Sequence, residues 1–190
     1  VTLDGPDDFS GWRDAARRLV GAGTDPARVA WTAAGEGGSL FGGDPLPPEP
    51  ERPLAVPRAF VTLAQTAILH RDPERFVLLH QLLHDLSARG RRLDDRADPL
   101  VARAEALAKS VRRDIHKMRA FVRFRLAGEG ESERYVAWFE PEHYIVRTNA
   151  RFFIDRFAGM RWSILTPDLS IHWDGESLSE GPGATRADAP

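Results

Sequence analysis

The sequence predicts an α+β fold in which a three-helix region packs against a small, mainly antiparallel sheet. Residues 58–119 carry apolar side chains at helical spacing, whereas residues 120–174 carry short runs in which apolar and polar side chains alternate. Because helical and strand-like segments are largely segregated along the chain, an α+β arrangement is favoured over an alternating one. The chain has 190 residues, 42% of them hydrophobic, and is therefore long enough to bury such a core.

The first segment, residues 1–34, is predicted to form a strand, a helix and a second strand. A short strand begins at Thr2, and Asp7 or Asp8 can cap a helix that a glycine-rich segment ends. Residues 29–32 then alternate in the manner of a short strand. These elements are expected to form a small N-terminal unit.

Residues 35–57 are predicted to form a linker or a surface loop. Five glycines and six prolines fall within this segment. Proline removes backbone hydrogen-bond donors and glycine raises the entropic cost of order, so neither a regular helix nor a strand is expected. The segment is the best candidate for an internal boundary, and residues 58–175 are expected to form the main helical and sheet region.

Three consecutive amphipathic helices are predicted within residues 58–119. The first carries its apolar stripe over residues 60–68. Asp72 and Asp98 each precede a proline, an arrangement typical of a capped helix start, and so mark the beginnings of the second and third helices. The third helix is expected to be the longest, because apolar residues recur every three or four positions over residues 100–122.

The C-terminal part of the chain is predicted to form the sheet together with one short helix. The predicted strands are residues 122–126, 135–139, 144–147, 162–166 and 169–173, and the predicted helix is residues 151–158. After Gly175 the chain is rich in glycine, serine and proline, so residues 176–190 are predicted to be a flexible C-terminal tail.

The composition excludes several classes of protein. The absence of cysteine excludes a disulfide scaffold, a cysteine nucleophile, a thiolate zinc site and a self-contained iron–sulfur cluster. The formal net charge of -2 excludes a globally basic coat protein. Because no apolar stretch is long enough to span a bilayer and the first residues are acidic, a cytoplasmic protein without a membrane partner is expected.

A cationic segment from Lys109 to Arg125 carries the strongest functional signal. It contains seven cations and one acid, Asp114, which gives a formal charge of +6, while the rest of the chain sums to -8. At helical spacing the cations share one side of the third helix, and Phe121 and Arg123 are expected to share a strand face with Arg125. Several forked guanidinium groups on one surface favour phosphate as the partner, so DNA binding is predicted.

Ten residues are predicted to contact nucleic acid. The cations would hold phosphates, the histidines would add contacts and the tryptophans would stack on bases. The ten are Arg112, Arg113, His116, Lys117, Arg119, Arg123, Arg125, Trp138, His143 and Trp173.

An internal role for the same arginines stays open from the sequence alone. Glutamates across the predicted hairpin would pair with the cations and leave no charge for a ligand. These glutamates are Glu129, Glu131, Glu133, Glu140 and Glu142.

A nuclease or base-processing activity is a second hypothesis. General acid–base chemistry needs acids and histidines within hydrogen-bond reach of one another. The candidates are Asp114, His116, Glu140, His143, Asp168, His172 and Asp174. Their spacing matches no close pair of metal ligands, so no metal site is assigned, and His80 and His84 are expected to be partly buried against a neighbour.

Long motifs in the second half of the chain resemble those of a bacterial domain of unknown function that is regarded as a probable DNA-metabolism protein. The motifs are the run from Val111 to Arg125, Trp138-Phe139-Glu140-Pro141-Glu142-His143, Phe152-Phe153, residues 161–168 and His172-Trp173-Asp174-Gly175. The resemblance covers nearly the whole chain and is densest from Val111 to Gly175.

The resemblance implies an accessory role in DNA repair. Such domains are often fused in front of a UdgX-type uracil-DNA glycosylase or stand beside a radical SAM protein assigned to DNA repair. The resemblance therefore implies a DNA-binding domain for uracil-containing or single-stranded DNA, with glycosylase activity and any iron–sulfur cluster in the partner and no cofactor in this chain. A protein-interaction adaptor for that partner is a third hypothesis. Related domains usually continue with a tryptophan- and tyrosine-rich segment, so this chain is expected to be truncated.

Overall fold

The computed structural model describes residues 1–34, 45–88, 90, 92–95, 97–128 and 133–190. These residues form five α-helices and two sheets, and they separate into two compact units, residues 1–111 and 112–190. The larger sheet is mostly antiparallel, as predicted, whereas the count of three helices is not confirmed. The first ten residues of the predicted linker, 35–44, fall outside the described residues, and residues 45–57 form no helix or strand.

The elements have the following bounds in chain order. The helices are α1 (Phe9–Gly21), α2 (Arg58–Ala67), α3 (Arg75–Ala88), α4 (Pro99–Phe121) and α5 (Val146–Arg156). The strands are β1 (Thr2–Leu3), β2 (Thr32–Ala33), β3 (Arg125–Ala127), β4 (Arg134–Trp138), β5 (Trp162–Leu165), β6 (Leu169–Trp173) and β7 (Leu178–Pro182). Within the part of the chain that the structure describes, no helix is both long enough and apolar enough to span a membrane.

The first unit is built around a cluster of aromatic rings. Trp31 lies 6.3 Å from the ring of Trp12, 6.4 Å from that of Phe76 and 5.5 Å from that of His80, measured between ring centroids. The indole of Trp12 donates a hydrogen bond of 3.3 Å to the carbonyl of Phe76. His80 is fully buried, so its burial is more complete than the partial burial that the sequence predicts. The parallel pair of β1 and β2 completes this unit.

The second unit is a five-stranded sheet in the order β3-β4-β5-β6-β7. Strands β4 and β5 are parallel because the connection between them contains α5, whereas the other neighbouring strands are antiparallel. Phe153 on α5 and Phe124 both contact the ring of Trp162 on β5, with ring centroids 6.2 Å and 6.0 Å apart. One face of the sheet is therefore covered by α5 and an aromatic cluster.

Two predicted strands differ from the structure. The helix α4 continues to Phe121 and β3 begins only at Arg125, so Phe121 does not share a strand face with the arginines that follow it. Residues 144–147 are not a strand, because α5 begins at Val146. Both predictions rest on four or five alternating residues, a window too short to separate a strand from the end of a helix.

Residues 178–182 form a regular strand where the sequence predicts a flexible tail. β7 pairs with β6 over its whole length, and the hairpin turn is closed by Asp174, whose carboxylate accepts the backbone N–H groups of Glu176 and Ser177 at 2.8 Å and 2.7 Å. Gly175 follows with φ of +106°, a conformation that L side chains rarely adopt. The hairpin, rather than local composition, therefore orders this part of the chain.

We expect Gly175→Ala to lower the free energy of unfolding by about 1–2 kcal/mol, because alanine at a positive φ is strained. Gly159 is a matched control, since it has no positive φ and nothing within 4 Å of an added Cβ. Gly159→Ala should leave stability nearly unchanged in the same urea titration. Equal effects of the two substitutions would show that the turn conformation at Gly175 does not matter.

Candidate nucleic-acid interface

The C-terminal half of α4 presents a dense group of cations, here called the basic face. Four of its members are exposed and Lys117 is half-buried, while Met118 and Asp114 on the other side of the helix are buried. The helical period produces this division, because residues three or four positions apart project from the same side. The basic face consists of Arg112, Arg113, His116, Lys117 and Arg119.

Glutamates compensate only part of this charge. Lys117 pairs with Glu142 at 2.6 Å, and the hydrogen bond from the Lys117 ammonium lowers the pKa of the Glu142 carboxyl. Glu140 instead binds Arg186 at 3.0 Å. Glu129 and Glu131, which the internal pairing hypothesis also invokes, lie outside the described residues. Of the glutamates in the internal pairing hypothesis, Glu142 therefore pairs with a cation of the basic face, whereas Glu140 pairs with Arg186 outside it.

Arg119 is held in place by neutral groups. Its Nε donates a hydrogen bond of 2.7 Å to Oδ1 of Asn149, which is fully buried on α5 and whose Nδ2 donates to Sδ of Met118 at 3.2 Å. The guanidinium carbon lies 4.9 Å from the ring centroid of Phe152. Neither Arg119 nor Arg113 forms an ion pair with a carboxylate of the described residues. An amide oxygen accepts a hydrogen bond without supplying a negative charge, so this contact fixes the guanidinium and gives it no counter-charge.

The two cations after α4 have backbone partners. One guanidinium nitrogen of Arg123 donates to the carbonyls of Ala120 and Val122 at 2.7 Å and 3.0 Å. A cation there satisfies terminal carbonyls and favours the negative end of the helix dipole, so Arg123 helps to end α4. Arg125 lies exposed on the edge strand β3 and donates to the carbonyl of Pro190 at 3.3 Å.

The predicted tryptophan contacts are tied to the fold. The indole of Trp138 donates to the carboxylate of Glu140 at 2.8 Å, and this hydrogen bond lowers the pKa of Glu140. The indole of Trp173 donates to the carbonyl of Ala158 at 3.1 Å. His143 is buried, with 6% of its surface exposed. These three predicted contacts are less accessible than the arginines of the basic face.

Asp114 connects α4 to the loop that precedes α5. Its carboxylate is 1% exposed and accepts the backbone N–H of His143 at 2.9 Å, and the backbone N–H of Glu142 is a second donor. Burial raises the pKa of the Asp114 carboxyl above its ordinary value. A buried carboxylate that binds two amides organises a loop, so this contact explains the conspicuous acid within the cationic segment.

Two of the remaining catalytic candidates, His172 and Asp174, have local hydrogen-bond partners. Nδ1 of His172 on β6 lies 2.8 Å from Oγ of Ser163 on β5, and burial lowers the pKa of His172. The turn contacts of Asp174 lower the pKa of its carboxyl to about 2. Asp168 and His116 are exposed. Asp114 and His143 are joined by the backbone N–H of His143, which donates to the Asp114 carboxylate.

No group of three or more histidines, aspartates or glutamates is placed to hold a metal ion within the described residues. In the first unit, Nδ1 of His84 lies 3.2 Å from Oδ1 of Asp85, while His80 packs against Trp31. Neither ring nitrogen of His80 has a hydrogen-bond partner among the described residues. The two histidines therefore have different surroundings despite their helical spacing.

Sequence reasoning missed the two residues that position Arg119. Asn149 lies at a core position of α5, between the buried Val146 and Phe153, and an amide at such a position signals a required hydrogen bond. Phe152 precedes Phe153, and neighbouring residues of an amphipathic helix cannot both face the core. The sequence of α5 therefore indicates both residues, provided that the helix is taken to begin at Val146.

Residues 73–185 match the model of a protein family described as Domain of unknown function, DUF4130. The matched segment is more than half of the chain and contains the whole basic face and α5. No curated protein and no solved structure matches the chain. By the extent of the family match, the chain belongs to the DUF4130 family.

Proposed function

We propose that this chain is a DNA-binding accessory domain whose basic face holds the phosphate backbone. The proposal is carried by the exposure of Arg113 and Arg119 and by their lack of an ion pair among the described residues. Both are exposed, and neither is ion-paired with a described carboxylate. Phosphate is the anion that suits them, because a guanidinium fork binds two oxygens at once and several forks can follow a repeating backbone.

The arrangement of the charges supports a polyanion over a single small anion. The members of the basic face succeed one another along the axis of α4, where each residue adds 1.5 Å. Arg112 and Arg119 are therefore separated by about 10 Å along the helix, a distance that spans more than one phosphate of a nucleic-acid strand. A row of cations on an exposed helix fits a chain of phosphates lying along it.

The role in repair rests on the motifs that resemble a probable DNA-metabolism domain. In this proposal the chain brings DNA to a partner, a UdgX-type glycosylase or a radical SAM protein, and the partner acts on the base. The contacts of Asp114, Glu140 and Asp174 favour this division, since each carboxylate is engaged in holding local structure. An accessory role is therefore better supported than a nuclease formed by these side chains.

Salt dependence of binding tests the proposal. We expect fluorescence anisotropy with labelled DNA oligonucleotides to show affinity falling between about 50 and 200 mM salt, with a log–log slope of about -3 to -5. Arg113→Ala should weaken binding about three- to tenfold and reduce the slope by about one, because one phosphate contact is lost.

Arg103 provides the matched control for that substitution. It is an arginine of the same helix, but its guanidinium binds Asp72 at 3.0 Å and Glu74 at 2.6 Å. Arg103→Ala should leave both affinity and slope unchanged. Undetectable or salt-independent binding by the unaltered chain, or equal losses from the two substitutions, would exclude the basic face as a DNA site.

A further inference from the structure

We infer that the basic face selects unpaired DNA, and that Arg119 and Phe152 form the contact that makes the selection. In this arrangement the guanidinium of Arg119 binds a phosphate and the ring of Phe152 stacks on a neighbouring base. The inference rests on the proposed function, because it names the class of DNA that the same surface takes. It is carried by the geometry of the two side chains and by the exposure of the ring.

Arg119 is arranged to bind an anion from outside the protein. Its Nε is used by Asn149, and the two terminal nitrogens make no hydrogen bond to any described residue. Because Asn149 is fully buried and also bound to Met118, the anchor itself is fixed. A guanidinium that is already oriented loses less conformational freedom when it binds phosphate than a mobile surface arginine does.

Phe152 places an exposed aromatic ring against that guanidinium. The side chain is 36% exposed, and its neighbour Phe153 is buried and meets it edge to face at 5.2 Å between centroids. Among the large apolar side chains that the described residues expose, two are aromatic, Phe152 and Phe121. Phe121 is 66% exposed and lies two residues after Arg119, at the end of α4. Phe152 therefore contacts the basic face directly, and Phe121 follows the basic face at the end of the same helix.

An exposed ring beside a phosphate-binding cation fits an unpaired base better than a duplex. In a duplex the faces of the bases are already stacked, so a protein ring at the backbone gains no contact with them. In a single strand every base offers an open face, and cations and aromatic rings together form the usual surface for it. The Arg119 guanidinium carbon lies over one face of the ring, 4.9 Å from its centroid, so the two groups are in contact before DNA arrives and the base would stack on the part of the ring that stays exposed.

The probe is a deoxyoligonucleotide of about 15 nucleotides that carries one 2-aminopurine, whose fluorescence falls on stacking, compared with its own duplex. We expect the unaltered chain to bind the single strand about tenfold more tightly than the duplex and to quench the probe. Phe152→Ala should remove most of the quenching and about tenfold of the single-strand affinity, and should weaken duplex binding much less, because a duplex offers no open base face to the ring. Phe152→Trp keeps an aromatic ring at this position and should therefore keep both the quenching and the single-strand affinity.

Leu178 is the matched control, because it is an apolar side chain of similar exposure, 37%, in the same unit. Leu178→Ala should change neither quenching nor affinity. Phe152→Leu keeps the apolar volume without the aromatic face, so it should behave as Phe152→Ala even if the alanine variant is less stable.

Failure of the inference and failure of the proposed function give different results. Equal affinity for single strand and duplex, or equal losses for both in Phe152→Ala, would overturn the selection of unpaired DNA while salt-dependent binding remained. If the unaltered chain showed no salt-dependent binding and Arg113→Ala had no effect, the proposed function itself would be overturned.

Discussion

We expect Asp114→Ala to lower the free energy of unfolding of the chain by about 3 kcal/mol. The carboxylate is buried and accepts the backbone N–H groups of His143 and Glu142. Alanine would leave both amides without this acceptor inside the protein, and an unsatisfied buried group costs more than the net value of the bond it formed. A urea titration measures the loss, and faster hydrogen exchange at these two amides locates it.

Two further substitutions separate this role from a general effect of losing an acid. Asp114→Asn keeps one oxygen acceptor and replaces the other carboxylate oxygen with an amide NH2 group, which cannot accept a hydrogen bond, so we expect roughly half of the loss. Asp155 is an exposed acid of the same unit that pairs with Arg151 at 2.9 Å, and Asp155→Ala should change stability by less than about 1 kcal/mol. An Asp114→Ala variant as stable as the unaltered chain would refute the structural role.

The result bears on the hypothesis of an enzyme. If Asp114 holds a loop, its loss lowers the stability of the second unit, and DNA binding by that unit falls with it. If it were a general acid or base, its loss would instead leave stability intact and remove one activity. The buried position and the two amide donors favour the first outcome, which agrees with an accessory domain.

Helix starts and the central strands could be predicted from local sequence. The prediction of a capped start at Asp98 is confirmed, because its carboxylate accepts the backbone N–H groups of Leu100 and Val101. The predicted strands at residues 162–166 and 169–173 agree with β5 and β6 within one residue. These elements carry their signals within a few residues, in capping side chains and alternating apolar positions.

The end of α4 and the start of α5 could not be predicted in the same way. Phe121 and Val146 lie in segments whose few apolar positions fit either a helix or a strand. Long-range contacts settle the choice for α5, because Asp114 organises the loop before it and Phe153 packs on the sheet. Contacts between residues far apart in sequence leave no mark in the local pattern, so local periodicity misplaces this helix.

In the candidate site too, some features could be predicted from local sequence and others depend on long-range contacts. The cations could be assigned to one side of a helix from their spacing alone, and the structure places them there. Which of them are neutralised depends on residues far along the chain, since Lys117 meets Glu142 and Arg119 meets Asn149. Sequence spacing therefore gave the charge of the surface, and the fold determined which charges a ligand can use.

We expect the chain to lose stability steeply as the pH falls from about 6.5 to about 4, and His80 to account for about 3 kcal/mol of that loss. His80 is fully buried, and burial lowers the pKa of its imidazole from 6.5 to about 4, with a smaller contribution from His84. Between these two pH values the unfolded chain binds a proton at His80 and the folded chain does not. Unfolding therefore takes up a proton and becomes more favourable as the pH falls, whereas above pH 6.5 both states are neutral there.

His80→Leu tests the assignment, because leucine has a similar volume and no titrating group. Urea titrations at about pH 7 and pH 4 should show a smaller loss for the variant than for the unaltered chain, and the difference isolates His80 from the carboxylates that titrate nearby. His116 is exposed, so His116→Gln is the control and should keep the pH dependence of the unaltered chain. If His80→Leu lost as much stability on acidification as the unaltered chain does, the buried imidazole could not be the acid-sensitive group. The structure predicts the opposite result. Neither ring nitrogen of His80 has a hydrogen-bond partner among the described residues, so protonation would place a buried cation beside Trp31 with no acceptor for its hydrogens.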